Sequence, residues 1–161
     1  MSSICLIDTS IFLNYLNVRN CNQDRASVEK DYEIFAKSGC TFLLPMATII
    51  ETGNHIAQNG DGTMRRETAM RFVKEVKAAL EGKAPWSLTQ FPTTTEILEW
   101  INKFPDFAGQ NKAPDKLSEG TSFGDLSIIE ELDKLCKRFS MSEVFIWSLD
   151  SELSRYHQTA Q

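Results

Sequence analysis

At 161 residues the chain has the length of one ordinary domain, able to bury about two thirds of its unfolded surface, and a second core is not expected. Its 42% hydrophobic and 24% charged content excludes disordered and fibrous classes, and a net charge of −5 argues against diffuse attraction to a phosphate backbone, although an acidic metal site would leave the same sign. The apolar stretches fall far short of the roughly 20 residues that cross a bilayer, and the N-terminus lacks a charged region followed by an apolar one, so a cytoplasmic protein with no membrane partner is the expectation.

Ile4 to Ile7 is a continuous apolar run ending at Asp8, the pattern of a strand buried on both faces of a parallel sheet. Val28, Tyr32, Phe35 and Ala36 then recur at helical spacing. A second apolar run, Thr41 to Leu44, stops at Pro45, which suits the first turn of a helix over about Met46 to Gln58. The turn-like Asn59-Gly60-Asp61-Gly62 precedes a helix from about Thr63 to Leu80, and Thr93 with Glu96 forms a capping-box pattern opening another. Pro105 to Gly120, rich in Gly, Pro, Asn, Asp and Ser, reads as a mobile loop before the amphipathic helix of Phe123, Leu126, Ile129, Leu132 and Cys136. Val144 to Trp147 is the third strand, leading to Ser148 and Asp150. Helices separate every pair of strands, which predicts an α/β fold with a mostly parallel central sheet flanked by helices.

Cys5, Cys21, Cys40 and Cys136 lack the paired spacing of a zinc site and read as buried thiols, and His55 and His157 are too few for a histidine-rich centre. Oxygen ligands remain. In an open α/β sheet, ligands bind beyond the carboxyl ends of the strands. Asp8, Glu51 and Asp150 all follow strands there, and Asp125 borders the buried stripe of its helix. Each has a local explanation. Asp8 and Asp150 can cap helices, Asp125 can complete a capping box begun by Ser122, and Glu51 can face solvent. Capping does not account for all four pointing into one cleft, whereas clustered carboxylates need protons or cations, and hard divalent ions suit them.

The segments Ile4-Cys5-Leu6-Ile7-Asp8-Thr9-Ser10, Leu44-Pro45 through Glu51, Ser122-Phe123-Gly124-Asp125-Leu126 and Trp147-Ser148-Leu149-Asp150 resemble the PIN-domain ribonucleases, a family that includes many toxins of bacterial toxin–antitoxin pairs. The likeness implies a single PIN-like three-layer domain over residues 1–161, with a longer helical and loop region at 63–120. It implies a Mg²⁺- or Mn²⁺-dependent endoribonuclease with Asp8, Glu51, Asp125 and Asp150 at the metal-binding positions. Asp8 and Asp125 would be the main direct ligands, Glu51 and Asp150 would hold the ion's waters, and Ser10 and Ser148 would be the accompanying polar residues. RNA substrate, an antitoxin partner and a homodimer follow from the same resemblance. The chain departs from the compact toxins in the long span from Glu51 to Asp125, in Ser10 where Asn is common, and in the few residues after Asp150, which leave little room for a final edge strand.

Arg65, Arg66 and Arg71 lie on one helical segment and are candidate RNA contacts, although interspersed Glu67 and Glu75 also fit a solvated face. Trp86, Phe91 and Trp100 are expected in the core more than in base stacking, His55 on the surface, and Thr9 early in a helix. The alternatives are a PIN-like scaffold without catalysis and an aspartate-based phosphotransfer domain. Ser10 stands where a haloacid-dehalogenase-like site would want a second Asp, a receiver would want neighbouring acids, and Phe12 stands where an integrin-type metal site would want Ser.

Overall fold

The computed structural model describes residues 2–159. In chain order the elements are β1 (Ser3–Ile7), α1 (Thr9–Tyr15), α2 (Arg25–Lys37), β2 (Thr41–Leu44), α3 (Met46–Ala57), α4 (Gly62–Leu80), β3 (Trp86–Leu88), α5 (Thr94–Gly109), α6 (Phe123–Arg138), β4 (Glu143–Trp147) and β5 (His157–Gln158), with a single 3-10 turn at Leu153–Arg155. The sheet runs β3-β2-β1-β4-β5. Every pairing is parallel except that of β4 with β5. Among the described residues no helix is long and apolar enough to cross a membrane.

Successive side chains of a strand face opposite sides, so β1 serves two cores. Cys5 and Ile7 join Phe12, Val28, Ile56, Ala79 and Trp86 on the face covered by the first four helices. Ile4 and Leu6 join Ile128, Ile129 and Leu132 of α6, with Val144 and Ile146 of β4, on the other. This is a three-layer α/β arrangement. The chain leaves central β1 toward β2 and β3 on one side and reaches β4 and β5 on the other. The order therefore reverses between β1 and β4, where crevices form in open α/β sheets. The Asp8 amide donates to the carbonyl of Trp147 at 3.0 Å, closing the sheet at that point.

Helix starts follow local chemistry. Thr93 and Glu96 form the reciprocal capping box expected of them, and Ser122 accepts from the Asp125 amide at the head of α6. Three elements differ from the sequence reading. Trp86–Leu88 forms a short third strand parallel to β2, with Trp86 buried. The few residues after Asp150 suffice for a two-residue antiparallel β5. The segment read as a loop from Pro105 is helical as far as Gly109, because an interior proline removes one N–H without clashing enough here to end α5. The remainder folds back on itself through Lys112 N–H to the Glu119 carbonyl at 2.6 Å, and Thr121 N–H reaches the Phe107 carbonyl at 3.2 Å.

Gly120 lies at that crossing, where a Cβ would collide with the Ala108 carbonyl, a backbone group that cannot swing aside. Gly120→Ala is expected to lower stability by about 1–3 kcal/mol, as overpacking does, with a matching fall in Tm measured by circular dichroism. An unchanged Tm would show that loop and helix can separate freely.

Candidate acidic site

Asp8 emerges from the end of β1 as the N-cap of α1, and it is only 4% exposed. Its Oδ2 accepts from the hydroxyls of Ser10 at 2.8 Å and Ser148 at 2.6 Å. Ser10 also accepts from the Leu149 amide at 3.0 Å, and Ser148 from the Asp150 amide at 2.9 Å. The two serines therefore clasp the loop after β4 to the start of α1. Burial pushes the Asp8 carboxyl above its ordinary value, the serine bonds oppose that, and the charge of Asp125 adds to it. The capping role anticipated for Asp8 and its place in a shared cleft are both realised in the geometry.

Glu51 faces the cleft from the middle of α3. Its Oε2 accepts from the Thr9 hydroxyl at 2.9 Å, while its other oxygen lies against Gly124 so closely that a Cβ there would collide with it. Thr9 is an early helix residue as expected and in addition orients this carboxylate. Burial raises the Glu51 pKa, Thr9 opposes the rise, and the charges of Asp125 and Asp8 increase it. Asp8, Glu51 and Asp125 thus act on one another as like charges.

Asp125 and Asp150 meet at a cation that belongs to the chain. The Lys112 ammonium lies 2.8 Å from Asp125 Oδ2, 3.0 Å from Asp150 Oδ2 and 3.8 Å from Glu152 Oε2. Lys116 approaches Asp150 at 3.5 Å. Burial opposes the charge on Lys112, and its bonds to Asp125 and Asp150 outweigh this and raise its pKa. Asp150 Oδ1 accepts from the Glu152 amide at 2.8 Å, an Asx turn that sets up the next carboxylate. Glu152 is 3% exposed. Its Oε1 accepts from Thr121 at 2.7 Å, whereas its Oε2 has no hydrogen-bond partner.

All four acids singled out in the sequence reach this cleft, with Ser10 and Ser148 between them. Arg65 and Arg71 make their bonds elsewhere. Arg65 donates to the Gly60 carbonyl, and Arg66 lies in a surface hollow beside Asp61 and Met70. Arg71 donates to the carbonyls of Leu16 at 3.1 Å and Asn17 at 3.3 Å. Those groups end α1, about 12 Å or more along that helix from Asp8. His55 is exposed. Thr9, Lys112, Thr121, Gly124 and Glu152 were not foreseen as site residues. Thr9 and Gly124 stand within the segments that carry the family resemblance, and Glu152 is the second acid of Asp150-Ser151-Glu152.

Among the described residues no three Asp, Glu, His or Cys side chains stand close enough together to enclose a metal ion. The donors nevertheless fit a hard cation that keeps its waters. They are all oxygens, one buried carboxylate oxygen has no partner, and an ammonium already sits among three of them. Compared with protein-family models and with curated proteins, the chain matches neither.

Lys112 bonding holds Asp150 below its ordinary 3.8 against the opposing effect of burial. A depressed carboxylate contributes stability above that ordinary value, and the contribution is lost as pH falls through the depressed one. Lys112→Met is expected to lower stability at neutral pH by about 1–3 kcal/mol, through carboxylates left unpaired, and to lessen the loss on acidification. Mg²⁺ in a thermal melt is expected to raise Tm more in this variant than in the parent, because it replaces the missing ammonium. Equal Mg²⁺ shifts in both proteins would separate Lys112 from any cation position.

Proposed function

We propose that this chain is a metal-dependent endoribonuclease of PIN type, hydrolysing RNA phosphodiester bonds with Mg²⁺ or Mn²⁺. The observation that carries the reading is the convergence of Asp8, Glu51, Asp125, Asp150 and Glu152 at the switch point of the sheet. Among the described residues, only Lys112 and Lys116 stand within ion-pair distance of these five carboxylates. A phosphodiester brings further negative charge, so its entry requires a cation.

Asp8 and Asp125 would hold the ion directly, with Glu51, Asp150 and Glu152 around its waters. When bound, the ion supplies Lewis-acid polarisation of the phosphoryl group and lowers the pKa of a water. The chain's own residues supply position. Ser10 and Ser148 fix the Asp8 carboxylate, Thr9 fixes Glu51, and Gly124 leaves Glu51 its room. Lys112 gives up part of its hold on Asp125 and offers its ammonium to the phosphate. A toxin role with an antitoxin partner, and a homodimer, belong to the same proposal through the PIN resemblance.

A second reading, a binding or scaffold module without catalysis, is favoured by one observation. Lys112 already satisfies Asp125 and Asp150. The two readings separate on labelled RNA incubated with Mg²⁺ or Mn²⁺ and with EDTA. Cleavage is expected only with metal and is expected to fall to background in Asp8→Asn and Asp125→Asn. Gly124→Ala, which displaces Glu51 without touching the metal-holding aspartates, is expected to cost about 10–100-fold. Cleavage that survives both aspartate substitutions would overturn the mechanism, and its absence under all metal conditions would favour the scaffold.

A further inference from the structure

A groove of about 410 Å³ opens beside the acidic cleft, with Glu51 and Gly124 in its wall. Its other walls are largely apolar and aromatic, from Phe91, Pro92, Trp100, Phe123 and Ile50. Phe91 is 75% exposed on the rim, and Phe123 stacks edge-on against Phe104 at 5.3 Å between centroids. Phe91 therefore departs from the core placement expected of it, while Trp86 and Trp100 are buried. Exposed aromatic faces beside a phosphate-directed site are what unstacked bases pack against.

Besides Glu51, one charged group lies in this apolar setting. Glu131, two turns along α6 from Gly124, lines the groove and is only 7% exposed. Among the described residues it has neither a hydrogen-bond nor an ion-pair partner. Lys134, whose charge reaches it, is paired with Glu96 at 2.9 Å. A largely buried carboxylate with no protein partner must draw its hydrogen bonds from water or from a ligand in the groove. Gly124, Ser127 and Glu131 form one stripe of α6 along the groove, leading from Glu51 to this carboxylate.

We infer that this groove is a base-recognition pocket that takes guanine, with Glu131 as the specificity-determining residue. A carboxylate presents two acceptor oxygens and no donor. The Watson–Crick edge of guanine presents two adjacent N–H donors, from N1 and the N2 amine, and can satisfy both oxygens at once. Adenine and cytosine offer a single amine beside an acceptor nitrogen, and uracil offers one N–H between two carbonyls. Each would leave an acceptor facing the carboxylate. Phe91 and Phe123 supply stacking surface, and a base seated here places its phosphate toward Glu51. The assignment rests on the ribonuclease reading and adds the nucleotide that the site selects.

Binding without metal tests the pocket apart from the chemistry. The full chain is titrated in EDTA with guanosine, adenosine, cytidine and uridine, which carry no phosphate into the acidic cleft, following tryptophan fluorescence. Guanosine is expected to bind at least about tenfold more tightly than the others, a difference of about 1.4 kcal/mol. Glu131→Gln is expected to abolish that preference while leaving the thermal melt unchanged or raised. Phe91→Ala, at an exposed position, is expected to weaken all four nucleosides alike. Equal binding of the four, no binding of any, a preference that survives Glu131→Gln, or an amphipathic peptide that outcompetes guanosine would each overturn the pocket. Preference for guanosine in a protein that cuts no RNA would overturn the nuclease reading alone. Metal-dependent cleavage without guanosine preference would overturn the pocket alone.

Discussion

Five carboxylates gather at one edge of the sheet, Asp8, Glu51 and Asp125 acting on one another as like charges, and the Lys112 ammonium stands among the others, bonded to Asp125 and Asp150 and close to Glu152. Carboxylates gathered in this way are eased by protons or by cations. Lys112 supplies part of the balance, and burial first, with the neighbouring charges adding to it, raises the pKa of Asp8 and of Glu51. The loop that carries Lys112 is consequently part of the site. Its folding back beneath Gly120 and Thr121 delivers the ammonium to the acids, and Thr121 holds Glu152 in the same stroke.

Around that balance the fold arranges rigid supports. The central strand ends where the strand order reverses, so Asp8 meets the loop after β4 without a long connection. Ser10 and Ser148 each bind both a carboxylate oxygen and a backbone amide of that loop, which couples the position of Asp8 to that of Asp150. On the other flank Thr9 and Gly124 constrain Glu51 from two helices. Preorganised carboxylates on helix starts and strand ends are suited to holding a hydrated ion against a phosphate. The groove lined by α6 extends the same construction from charge to base.

What could be read from the sequence was what local chemistry writes. The apolar runs Ile4 to Ile7, Thr41 to Leu44 and Val144 to Trp147 became strands because burial on both faces demands such runs. Thr93 and Ser122 announced their helices through their caps. Asp8, Asp125 and Asp150 were legible as strand-end or helix-start acids, whereas Glu51, in mid-helix, was singled out mainly by the family resemblance. By contrast β3 and β5 are too short for a period, and each is created by hydrogen bonding to a neighbouring strand. Pro105 suggested a break, yet loss of one backbone donor did not outweigh the rest of α5. Lys112 and Gly124 could not be foreseen, since their roles exist only through contacts with residues distant in the chain. The partnerless state of Glu131 is likewise a property of packing, invisible in a helix that carries many other acids.

The account turns on whether the place now held by Lys112 lies beside a site for a divalent ion. Diffraction from crystals soaked in Mn²⁺, collected at a wavelength where manganese scatters anomalously, answers this directly. The expected map has an anomalous peak between Asp8 and Asp125, with the Lys112 ammonium drawn away from Asp125. A map with no peak in the cleft, and Lys112 still bonded to both Asp125 and Asp150, would contradict it.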